Sequence, residues 1–227
     1  MPEKMDYKKI SKELYLPGRN PEIVNVPRMR FLMVNGQGDP NREDGEFARA
    51  TTLLYGLSYT ISMSGKGKQQ PDGYFPYVVP PLEGLWWTPD DTPFDGKDKG
   101  ELIWTLMIRQ PEFVTEEVFR WATGELERKK PGTDVSGVLL RDYTEGWCVQ
   151  MMHLGSYDTE DATVEVIDTF AQAQGWISAI SLESPEGILR RHHEVYLNDP
   201  RKTSPEKLKT VLRHPIEMLS EEEKNHG

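Results

Sequence analysis

Twice along the chain the same order of elements occurs: a strand running into glycine and an acidic turn, then an amphipathic helix, then further strand. In the first copy, residues 27–36 form the strand, and Gly36-Gln37-Gly38-Asp39-Pro40 ends it. Phe47, Ala50, Leu53, Leu54, Leu57 and Ile61 recur at helical spacing over 45–63. Strands over 74–87, interrupted by Pro80-Pro81, and 101–109 follow. An additional helix over 112–130 starts near Thr115 and stops at Pro131-Gly132. In the second copy, 137–143 and 147–154 read as a hairpin about Thr144-Glu145-Gly146. Thr159 is placed to cap a helix over 159–174, whose apolar face is Ala162, Val166, Ile167, Phe170 and Ala171. Two such halves predict an α+β fold: two strand-helix-strand-strand modules in one antiparallel sheet, both helices on one face, with a central cleft suited to a ligand. The stretch to residue 26 is polar and broken by Pro17-Gly18 and Pro21. The boundaries expected are a lead-in over 1–20, one domain over 21–216 and a polar tail over 217–227.

The final strand carries the chemistry. Gly187 leads into Arg190-Arg191-His192-His193-Glu194-Val195-Tyr196-Leu197, and Asp199-Pro200 breaks it. Alternation puts His192, Glu194 and Tyr196 on one face, and His193, Val195 and Leu197 on the other. Val195 and Leu197 suit packing on a helix. A strand that spends positions on Glu and Tyr is either an exposed edge or the floor of a ligand site. His192 and His193 diverge as neighbours on a strand and no spaced His/Cys set exists elsewhere, so no metal or other cofactor is expected. The glycines at 36 and 38 lack the rest of a phosphate-loop pattern and read as a turn. Without a Gly-x-Ser-x-Gly elbow, a serine hydrolase has no support.

Composition narrows the partners. With 37 acidic against 27 basic residues the formal charge is −10, which disfavours nucleic acid as a partner. No apolar run approaches the roughly 20 residues of a membrane helix. The N-terminus lacks the apolar core of a signal peptide, and the single cysteine, Cys148, fits a reducing cytosol as a buried structural thiol. A monomer or weak homodimer is expected. Six Trp and nine Tyr in an otherwise polar chain supply aromatic area for a core or for a pocket that takes a flat ligand.

Particular residues add to this order: Pro81-Leu82-Glu83-Gly84-Leu85-Trp86-Trp87, Trp104 to Pro111, His153-Leu154-Gly155-Ser156-Tyr157, His193 to Pro200 and Leu208 to Pro215. Together they resemble the GyrI-like small-molecule-binding domain, over about residues 20–216. In sensing members of that family a buried Glu on the last strand meets cationic drugs, and the matching position is Glu194. Some free-standing members hydrolyse the cyclopropane of DNA-alkylating natural products. The chain has no room for the helix-turn-helix of the regulators, so a transcription role is discounted.

On this reading Glu194 and Tyr196 are the catalytic candidates. Trp86, Trp87, Trp104, Tyr55, Trp147 and His153 are the candidate ligand contacts, although each Trp alone reads as core and His153 also fits a hydrogen-bonded structural role. Desolvation in an aromatic cleft would raise the Glu194 pKa and suit it to activating water. The same carboxylate would suit pairing with a cation, with aromatic faces adding attraction. Two functions stay open: a hydrolase of cyclopropane-bearing electrophiles with Glu194 as general base, or a non-catalytic binder that sequesters a flat, apolar or cationic molecule. Inhibition by surface mimicry of nucleic acid rests on charge alone.

Overall fold

A computed structural model describes residues 3–66, 70–90 and 99–218. The middle of the 65–73 loop, the Pro- and Asp-rich connection from residue 91 and the polar tail beyond Met218 lie outside the described residues. In chain order the elements are α1 (Tyr7–Ile10), α2 (Lys12–Tyr15), β1 (Glu22–Val26), β2 (Met29–Gln37), α3 (Glu46–Ser62), β3 (Leu82–Trp87) and β4 (Ile103–Gln110). There follow α4 (Glu116–Lys129), β5 (Val138–Tyr143), β6 (Gly146–Leu154), α5 (Asp161–Ala173), β7 (Trp176–Ser178), β8 (His192–Tyr196) and β9 (Lys209–Met218). The fold is α+β with antiparallel strand pairing, as the alternating order of elements predicts. Internal contacts divide the chain into two compact units, residues 1–11 with 29–142 and residues 12–28 with 143–227.

In the first unit the strands lie in the order β3-β4-β2-β5. Helix α3 covers β2 and β4, and α4 packs on α3. The period-3.6 face of α3 buries Ala50, Leu54, Leu57 and Ile61, and Leu32, Leu106 and Ile108 are enclosed on one face of the sheet. Thr115 caps α4 by accepting from the Val118 N–H at 3.3 Å. Gly36 is not a turn glycine: it is paired with Trp104 within the sheet, and a side chain there would run into the indole ring. Arg30 donates two bonds to Asp142, at 2.8 and 3.1 Å, and a third to the Val114 carbonyl at 3.0 Å.

In the second unit the order is β1-β6-β9-β8, with β7 beside the far end of β9. Helix α5 lies on one face, where Ile167 and Ala171 pack against Val149, Leu212 and Ile216. The hairpin expected over 137–154 does not form. β5 joins β2 in one unit, while β6 pairs with β1 and β9 in the other. The reason lies in the connection. Glu145 turns inward and is enclosed, accepting from His193 Nδ1 at 3.0 Å and Arg213 Nη1 at 3.3 Å. Arg213 also donates to Gln150 Oε1 at 3.0 Å and to the Leu14 carbonyl of α2 at 2.7 Å. Burial alone would raise the Glu145 pKa, but His193 and Arg213 outweigh it and hold it low. The face expected to be apolar at Val195 therefore also carries an enclosed ionic network.

The segment after Leu208 is the ten-residue strand β9. Pro215 is tolerated because it sits where β9 changes neighbour, from β8 at Arg213 to β7 at Ile216. Among the described residues no helix is long and apolar enough to cross a membrane. Cys148 is enclosed on β6, and burial pushes its thiol pKa up.

Candidate functional site

The alternation of β8 survives in three dimensions. His193 and Val195 are enclosed, while His192, Glu194 and Tyr196 are half-buried on the face that α5 covers. Register places Tyr196 opposite Thr210 of β9, and Thr210 opposite His153 of β6, so three strands present one polar row. The chain then turns over this row. Gly155 adopts a φ of +143°, and a side chain there would press on Thr159 and His153 at 3.2 and 3.3 Å. Only glycine suits this point. A 3-10 turn over Tyr157–Thr159 follows, capped by Ser156 rather than by Thr159. Thr159 instead donates to the Ser156 carbonyl at 2.8 Å, and α5 begins after Glu160.

That turn brings in two residues that sequence reasoning passed over. The Tyr157 ring stands edge-on to Tyr196, with centroids 5.8 Å apart at 85°. Glu160, only 7% exposed, comes close enough that donor atoms of Glu160, His192 and Glu194 lie within 4.8 Å of one another. Burial first, and the Glu194 carboxylate second, push the Glu160 pKa well above the usual carboxylate range. Its Oε1 has no hydrogen-bond partner among the described residues. The Tyr196 hydroxyl donates to Glu194, and burial followed by that same carboxylate raises its pKa. Tyr157 is raised likewise, by burial and then Glu194. The site thus sets the Glu194 side chain, 13% exposed, among groups whose pKa values are raised. Such a set can take a proton at one atom and give one at another.

His192 contacts Glu194 Oε1 through Nε2 at 3.2 Å and His214 Nε2 through Nδ1 at 2.7 Å. Both ring nitrogens of His192 are thereby engaged by protein groups.

The other nominated residues fall in several places. His153 closes the turn after β6, with Nδ1 at 2.8 Å from Thr163 Oγ1 and Nε2 at 3.1 Å from the Ser156 carbonyl. Trp147, 47% exposed, lies at the opposite end of β6 beside Trp176, their rings 5.5 Å apart over an open hollow of about 600 Å³. Trp86, Trp87, Trp104 and Tyr55 belong to the first unit. There Trp104 is fully enclosed, donating to the Gly38 carbonyl at 3.3 Å and meeting Phe47 edge-on. Trp86 stacks on the same Phe47 at 5.7 Å, and Tyr55 stacks on Tyr59 at 6.0 Å. Both Trp86 and Trp87 are partly uncovered.

Solved structures share the fold of this chain. The solved structure of a hydrolase from Listeria innocua is 45% identical, covers 94% of this chain and 100% of its own, and superposes with a TM-score of 0.82. An uncharacterized conserved protein of the same organism is 47% identical over 94% of this chain and 100% of its own, with a TM-score of 0.85. A further Listeria innocua hydrolase is 46% identical over 95% of this chain and 100% of its own, at a TM-score of 0.83. No curated protein matches. The model of the GyrI-like small molecule binding domain matches residues 19–217, and the chain belongs to that family.

Proposed function

We propose that the polar row of β8 and the turn before α5 bind a flat, apolar or cationic small molecule and open an electrophilic, cyclopropane-bearing ring with water. The observation that carries this reading is the clustering of Glu160, His192 and Glu194, whose side-chain atoms lie within 4.8 Å of one another beside Tyr157 and Tyr196, with burial and then the Glu194 carboxylate raising the Glu160 pKa. Glu194 takes a proton from water as the water oxygen bonds to the strained carbon. The ring carbon–carbon bond breaks, its electron pair moves into the conjugated carbonyl, and that oxygen takes the proton of Glu160 or of Tyr196. Water is thereby added across one ring bond. Tyr157 and Tyr196, edge-on to each other beside Glu194, supply the aromatic surface for the ligand. Relatives described as hydrolases favour turnover over storage. The net charge of −10 fits a small-molecule rather than a nucleic-acid partner, and an enclosed free thiol fits a reducing cytosol.

The test is a matched pair of assays on wild type and Glu194→Gln. Turnover of a cyclopropane-bearing electrophile beyond one equivalent should fall roughly 10²–10⁴-fold in the variant, while affinity for neutral flat compounds is kept. A pure binder would instead give stoichiometric protection, and the variant would lose cationic dyes and keep neutral ones. Unchanged turnover and unchanged dye binding would remove Glu194 from the site.

A further inference from the structure

Behind Glu194 four side chains from three elements form one continuous line. His192 Nε2 lies 3.2 Å from Glu194 Oε1, His192 Nδ1 lies 2.7 Å from His214 Nε2, and His214 Nδ1 lies 2.6 Å from Asp168 Oδ1. The two imidazoles meet at 79° with centroids 5.0 Å apart, which aims each nitrogen at its partner. Glu194 and His214 are largely enclosed, whereas the Asp168 side chain on α5 is 42% exposed. A flat ligand lying over β8 would cover Glu194 and leave Asp168 in water.

Every atom facing another in this line carries a lone pair, so each of the three contacts needs one proton. Two neutral imidazoles and one carboxylic acid supply three. Burial, the largest influence on His214, lowers its pKa and favours its neutral form. Sliding each proton by one contact exchanges two fully hydrogen-bonded forms, one with the acid proton on Glu194 and one with it on Asp168. Around Glu194, Glu160 at the start of α5, Tyr157 of the preceding turn and Tyr196 of β8 all have raised pKa values. The remaining charged neighbours are Asp158 and Asp161 beside Glu160, and Glu145 across the sheet from His214.

The geometry points to His192 and His214 as positioning residues of a proton relay that connects Glu194 with solvent at Asp168 while the ligand covers the site. This rests on Glu194 being the base of the proposed reaction. With both imidazoles protonated at Nδ1, Glu194 takes a proton from water, the three-proton slide returns Glu194 to its ionised form and leaves the acid proton on Asp168, Asp168 releases it to solvent, and proton exchange returns each imidazole proton to Nδ1 before the next turnover. Protons are conserved at each stage, and no bond between heavier atoms forms or breaks within the relay.

His214→Gln keeps two hydrogen-bonding ends but cannot pass a proton. Steady-state turnover of a cyclopropane-bearing electrophile is measured in wild type, His214→Gln and Asp168→Asn over about pH 5–9, at low and high imidazole buffer. Both variants should keep KM, lose at least about tenfold in kcat at low buffer, and recover as imidazole replaces the missing relay, with wild type insensitive to buffer. Asp168→Asn, at a half-exposed position, carries the test if His214→Gln does not fold. Wild-type kcat and an unchanged pH profile in the variants overturn the relay, since Glu194 would then reset directly against Glu160. Turnover that survives Glu194→Gln defeats the assignment of the base, a failure distinct from loss of the relay alone, and absence of wild-type turnover defeats both.

Discussion

Glu160 enters α5 at a position where a sequence places an acid for the helix dipole, exposed and unremarkable. The preceding turn instead rolls it onto Glu194, where the two carboxyls cannot both ionise at low cost. This has a signed consequence for stability. A carboxyl whose folded pKa is raised stabilises the fold fully below its unfolded value of about 4.3 and loses that contribution as pH rises toward the folded value. In Glu160→Gln the side chain keeps its volume and is neutral at every pH. The variant and wild type should therefore match in denaturant unfolding near pH 4. Wild type should fall behind as pH rises through neutrality, by up to about 1.4 kcal/mol per pH unit. Stability curves that run parallel over that range would show Glu160 to be an ordinary ionised residue.

At the scale of elements, periodicity made α3, α4 and the body of α5 legible, and alternation assigned the two faces of β8 correctly. What could not be read were two strands whose apolar residues are interspersed with polar ones. β1 lay within a polar approach, and β9 carries Arg213 and His214 into enclosed positions. Glu145 looked like a turn residue because nothing local announces that it meets His193 and Arg213, 48 and 68 positions away. The site divided likewise. Glu194 and Tyr196 could be named from one strand, but Glu160, His214 and Asp168 are joined to it only by tertiary packing. The enclosed network makes its own prediction. Arg213→Met removes the cation from between Glu145, Gln150 and the Leu14 carbonyl, leaving buried acceptors without a donor. The loss should be about 3–5 kcal/mol in urea unfolding. A loss below about 1 kcal/mol would mean that α2 is not held to the sheet by this residue.

At the scale of the whole molecule, the formal net charge of −10 has the same sign as a carboxylate at the site. A field of one sign raises the local concentration of the opposite ion and speeds its arrival, and salt screens the field over a Debye length of about 10 Å at 0.1 M. Capture of a cationic aromatic ligand should therefore slow as ionic strength rises from about 20 to 200 mM, while a neutral ligand of the same shape shows no such change. Glu194→Gln separates the two origins of the attraction. It removes one charge at the point of contact and leaves the other excess charges in place, so the salt dependence of the association rate should persist while dissociation becomes faster. Stopped-flow fluorescence with the cationic and neutral pair, in both proteins, measures each rate. A salt dependence that vanishes with Glu194 would place the attraction wholly at the site. Equal salt dependence for the neutral ligand would show that steering by charge plays no part in how this protein meets its ligand.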